Sequence, residues 1–124
     1  MAGLIRRFAL MTDAPVDLEH LARYTGGDKS LNAEILRLFD GQISEMVEQL
    51  QSIIAQRDQK KWRQVTHTIK GAARGVGAFA MGQAAADAEP VDPAVHPDKA
   101  GAALESLKVS GQAVQAFIAD YLAA

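Results

Sequence analysis

Cysteine is absent from this chain, which excludes disulfide staples and thiolate catalysis. Its absence fits a reducing compartment, and a cytoplasmic location is expected. No apolar run approaches the roughly 20 residues of a bilayer span, so no membrane segment is expected. Arg6 and Arg7 interrupt the apolar N-terminus, which therefore does not read as a secretory leader. Charge of neither sign dominates. A formal net charge of −2 gives no global electrostatic case for nucleic acid. Alternating strand-like segments and internal repeats are missing too. There is no P-loop and no kinase-type glycine loop, so an ATP site is not expected. His20, His67 and His96 are far apart in sequence, and no His-Glu-x-x-His pattern occurs, so no metal site is expected.

What is present is a helical pattern in a chain long enough for one domain. The chain has 124 residues, 48% of them apolar, which suits a folded core rather than disorder. Leu4, Ile5, Phe8, Ala9 and Met11 have helical spacing, so residues 1–15 read as an N-terminal extension or short helix. Met11 competes with Met1 as the natural start. Pro15-Val16-Asp17 reads as a turn and cap into a short helix over about Leu18 to Tyr24, broken by Gly26-Gly27-Asp28. Ser30 is the expected cap of a long helix reaching about Arg57. Its stripe is Ile35, Leu38, Phe39, Ile43, Met46, Val47, Leu50, Ile53 and Ile54.

Asp58 is the expected cap of the next helix, which reaches about Gly75. Gly75 and Gly77 mark a break before a small-residue helix over about Ala78 to Glu89. Pro90-Val91-Asp92-Pro93 cannot continue a helix. Pro97 suits the first turn of the last one, whose stripe runs from Ala100 to Tyr121. Four principal helices with short connections predict an all-α fold, an up-down four-helix bundle over residues 16–124. The stripes can be satisfied inside one such core, so a monomer is expected.

The run His67-Thr68-Ile69-Lys70-Gly71-Ala72-Ala73-Arg74-Gly75-Val76-Gly77 carries the most information. At about 100° per residue, Trp62, Val65, Ile69, Ala72, Ala73 and Val76 fall within an arc of about 100°. His67 lies nearly opposite, surrounded by Lys60, Arg63, Gln64, Lys70, Gly71 and Arg74. A histidine so placed faces solvent in a basic setting. Gly71, one turn on, costs the helix about 1 kcal/mol relative to alanine. It therefore calls for a reason, and one reason is that something large must come close to the imidazole.

These residues resemble the histidine-containing phosphotransfer (HPt) domain of two-component phosphorelays. That family's motif reads His-x-x-Lys-Gly with a further glycine ten residues after the histidine, matched here by His67, Lys70, Gly71 and Gly77. The alanines after Gly71 and the upstream helix with a Trp before the histidine are also similar. The resemblance implies that His67 is the phosphoacceptor and that the chain is a phosphocarrier rather than an ATP-consuming kinase. Imidazole suits that role because its unperturbed pKa of about 6.5 leaves a lone pair near neutral pH. Lys70 would stabilise the phosphoryl charge and Gly71 would leave the site reachable. Lys60, Arg63, Gln64 and Arg74 are candidate docking residues for an acidic partner surface.

The implied partner is a response-regulator receiver domain or a hybrid histidine kinase. The receiver supplies the aspartate and the magnesium, and no cofactor is expected on this chain. A different class of function is a helical module that binds such a partner without transferring phosphate. One position departs from the family. Many members carry a glutamine on the next helix that contacts the histidine; here Glu89 stands there, before Pro90, with Gln83 elsewhere on that segment. Either that contact is absent or a different residue supplies it.

Overall fold

Three aspartates set the first three helix starts. In the computed structural model, which describes residues 14–124, Asp17 accepts hydrogen bonds from the backbone N–H groups of Glu19 and His20 and opens α1 (Leu18–Thr25). Asp28 accepts from Ser30 and Leu31 and opens α2 (Lys29–Gln56). Asp58 accepts from Lys61 and opens α3 (Gln59–Val76). Each carboxylate satisfies N–H groups that have no partner within the helix. The cap of α2 is thus Asp28 and not Ser30, because the helix already includes Ser30 and the Asp28 carboxylate accepts from both free amides. α4 (Phe79–Ala88) and α5 (Pro97–Ala123) start without a side-chain cap, and Pro97 occupies the first turn of α5. Gly26, Arg57 and Gly77 end α1, α2 and α3 in the left-handed conformation.

The four longer-range partners form a closed ring. α2 packs on α3, α3 on α4, α4 on α5 and α5 back on α2, while α1 lies against α2 and α3. Two-residue links at Arg57–Asp58 and Gly77–Ala78 force the chain to reverse between neighbours. This is the expected up-down bundle. Its core includes Leu36, Phe39, Ile43, Leu50, Trp62, Ile69, Met81, Leu107 and Ile118, all at most 2% exposed.

The buried positions of α2 are Asn32, Leu36, Phe39, Ile43, Met46, Leu50 and Ile53. Their steps alternate four and three, the 3.5 period that keeps a helix facing its bundle neighbours. Leu38 was expected in this stripe and is 69% exposed. It stands about 120° from the stripe centre on a helix wheel, and Leu36 holds the core position instead. Asn32 is the polar member of the stripe. It accepts from the Thr25 hydroxyl at 2.6 Å and its amide donates to the Tyr121 hydroxyl at 3.3 Å, joining α1, α2 and α5. The expected helix over Leu4–Met11 and the choice between Met1 and Met11 lie outside the described residues.

Gly77 explains one motif position physically. Its φ of +89° is one that L side chains rarely adopt. A Cβ there would lie 2.6 Å from the backbone oxygen of Asp17, whose N–H donates to the Gly77 carbonyl at 2.9 Å. The glycine ends α3 and docks the start of α1 against it.

Candidate functional site

The site is built on the third helix by its buried neighbours. Trp62, Thr66, Ile69 and Ala73 of α3 are fully buried, and His67 is turned outward with its side chain 67% exposed. The Thr66 hydroxyl donates to the Trp62 carbonyl at 2.8 Å. The Trp62 indole N–H donates to the Ala88 carbonyl at 2.9 Å. That carbonyl belongs to the last turn of α4, where no backbone N–H of the same helix is left to meet it. The bond therefore fastens the end of α4 to α3, and the next residue, Glu89, arrives beside His67.

Glu89 holds two groups at once. Its Oε1 lies 3.0 Å from His67 Nδ1 and its Oε2 accepts from Lys70 Nζ at 2.7 Å. These two contacts are the only ion pairs among the described residues. The Lys70 hydrogen bond holds the Glu89 carboxyl below the usual carboxylate range; partial burial opposes this, and the hydrogen bond with His67 adds to it. The group is therefore ionised at neutral pH. An ionised carboxylate can only accept, so the ring must donate its proton from Nδ1. The lone pair is left on Nε2 of a largely exposed ring.

The contact left open by the sequence is thus made, and Glu89 makes it. Gln83 is turned elsewhere, donating to Asp87 Oδ1 at 2.9 Å. Lys70 has a partner that the sequence did not show. Expected to stabilise a phosphoryl charge, it is 22% exposed and engaged by Glu89. Its position three residues after His67 puts both side chains within reach of one carboxylate.

Gly71 is exposed, and a Cβ there would meet nothing within 4 Å. Packing within the described chain therefore gives no reason for glycine at this place. Lys60, Arg63 and Arg74 are exposed and form no ion pair among the described residues. Gln64 turns toward α2, where it lines a shallow groove with Gln56 and Lys61. The stem of Arg74 crosses α4 at Gly82, where a Cβ would stand 3.0 Å from Arg74 Cγ. The structure thus unites His67, Lys70 and Glu89 and leaves the other cations around them unbonded. Among the described residues no three His, Asp or Glu side chains stand close enough to hold a metal ion.

A family model described as the Hpt domain matches residues 34–122, from the first turns of α2 to the end of α5. No curated protein and no solved structure matches the chain.

Proposed function

The chain belongs to the Hpt domain family, and from that premise we propose that it accepts a phosphoryl group on Nε2 of His67 and relays it to or from a receiver-domain aspartate. Membership itself implies histidine phosphotransfer in a phosphorelay, with receiver or kinase domains as partners. One observation carries the finer reading. His67 is exposed, and the carboxylate on its Nδ1 leaves Nε2 as the nucleophilic atom.

Phosphoryl transfer passes through a loose transition state that needs alignment and charge compensation more than covalent help. Nε2 attacks phosphorus in line as the P–O bond to the aspartate breaks, and the aspartate leaves as a carboxylate. Lys70 stands one turn along to meet the phosphoryl oxygens. Gly71 keeps that side of the helix low, so a partner surface can close on the imidazole. Lys60, Arg63 and Arg74, with Gln64 at the margin, complement the acidic pocket of a receiver. Magnesium belongs to the receiver in this reading. The ring that the described helices close on one another supports a carrier that works as a monomer. No described helix is long and apolar enough to cross a membrane.

The test uses a panel of phosphorylated receiver domains with the purified chain. The expected product carries an acid-labile, base-stable phosphoryl group, and His67→Gln stays folded and unlabelled. Label on His20 or His96 overturns the assignment. Binding of a receiver with no transfer from any of them makes the chain an interaction module.

A further inference from the structure

Glu89 carries more than the orientation of a ring. Its carboxylate occupies the cation that the phosphoryl group would otherwise have to itself, and it holds the proton on the opposite nitrogen of the same imidazole. We propose that Glu89 is a positioning residue that poises phospho-His67 for onward donation rather than storage. The proposal rests on the reading of His67 as the phosphoacceptor.

The chemistry follows the bonds. When phosphorus is on Nε2 and the proton stays on Nδ1, the ring is a phosphoimidazolium. Cleavage of the P–N bond returns the electron pair to Nε2, and the imidazole leaves neutral with its Nδ1 proton. The phosphoryl group forms its new P–O bond to a receiver carboxylate, or to water, whose proton then passes to solvent. If Nδ1 loses its proton first, the same cleavage must expel an imidazolate, a far poorer leaving group. A carboxylate at Nδ1 accepts a stronger hydrogen bond from that proton than a neutral amide could, and so favours its retention.

Charge acts in the same direction. A phosphoryl group on Nε2 stands roughly 6 Å from the Glu89 oxygens across the ring. Repulsion at that range corresponds to a factor of about three to a hundred in an equilibrium, for effective dielectric constants between 80 and 20. Lys70 offsets it only in part, because Glu89 already holds it at 2.7 Å.

Other ionisable groups around the ring are few. On α3, Lys60 and Arg63 precede it and Arg74 follows Lys70. On α4 and the loop after it stand Asp87, held by Gln83, Asp92, which accepts from the Ala94 N–H, and His96 at the start of α5. Neither aspartate pairs with His67, and among the described residues Glu89 is the one carboxylate that does, with Lys70 on its other oxygen.

The full chain is phosphorylated with phosphoramidate, which delivers its phosphoryl group to Nε2 and releases ammonia. Decay of the phosphohistidine is then followed by phosphorus NMR between pH 6 and 9. Glu89→Gln should label at His67 and decay roughly tenfold more slowly than wild type at pH 8. The difference should narrow toward pH 6, where solvent protons keep Nδ1 charged in both. Lys70→Gln retains the carboxylate on Nδ1 and removes the cation, so it should decay faster than wild type. A structural role alone would move both variants in one direction. Equal decay of wild type and Glu89→Gln at every pH, or faster decay of Glu89→Gln, overturns the role of Glu89 and leaves the relay reading standing. A folded wild type that takes no label at His67 overturns both.

Discussion

Two glycines of one motif should respond oppositely to the same substitution. Gly77→Ala places a side chain at φ +89°, a conformation that costs about 1–2 kcal/mol for an L residue. The new Cβ would also lie 2.6 Å from the Asp17 carbonyl oxygen. Relief requires the start of α1 to move away, which breaks the Asp17 N–H bond to the Gly77 carbonyl, worth about 1 kcal/mol. The sum is a loss of about 3 kcal/mol, or roughly 12 °C in Tm for a domain of this size. Gly71→Ala meets nothing within 4 Å in the middle of a helix and should gain up to about 1 kcal/mol. Urea unfolding of both variants checks this, with unchanged m-values confirming that the same transition is compared. A Gly77→Ala loss below about 1 kcal/mol would show that the α1–α3 junction yields freely, and the account of that motif position would be wrong.

Four further outcomes follow from the same geometry. Gly71→Gln should fold like wild type yet lose transfer from a protein donor by about 100-fold, since an ångström of misplacement suffices; phosphoramidate should be less affected, and equal loss with both donors would refute partner obstruction. Trp62→Phe leaves the Ala88 carbonyl with only the Val91 N–H and opens a cavity, so it should cost about 2 kcal/mol in thermal unfolding and slow labelling of His67 as Glu89 loosens. Arg57 holds φ +55° without being glycine, and Arg57→Gly should raise stability by up to about 1 kcal/mol, seen as a Tm rise of a few degrees. Glu89 has a folded-state pKa below its unfolded one, so its contribution is present above the ordinary carboxylate range and lost as pH falls through the folded value; the Tm gap between wild type and Glu89→Gln should therefore close on acidification below that range, and a gap that widens would contradict the sign.

The fold was legible because the apolar periodicities are long and the stops are chemically plain. Asp17 and Asp58 cap where a short acceptor precedes an apolar stripe, and Pro97 opens the last helix. Leu38 was misplaced for a definite reason. An apolar residue next to the stripe looks like a member of it when spacing is read from neighbour to neighbour, and only the angle of the full run from Asn32 to Ile53 shows that Leu36 keeps the seam while Leu38 leaves it. His67 was legible because its outward direction follows from α3 alone.

The part that was not legible depends on contacts between helices. Glu89 is 22 residues from His67, and nothing in the periodicity of α4 says where its last side chain ends. That placement comes from Gly77 turning α3 into α4 in two residues, and from the Trp62 indole taking the carbonyl just before Glu89. A core tryptophan was read from the sequence as packing alone, yet its one polar atom determines which carboxylate reaches the imidazole. The lysine of the motif changes meaning as a result. Read along the helix it is a lone cation; read across the helices it is a cation that Glu89 holds, and under the proposed relay the phosphoryl group has to share it. The family glutamine would leave Lys70 without a carboxylate partner, and under the proposed relay the exchange of an amide for a carboxylate here alters the electrostatics of the transfer without altering the fold that supports it.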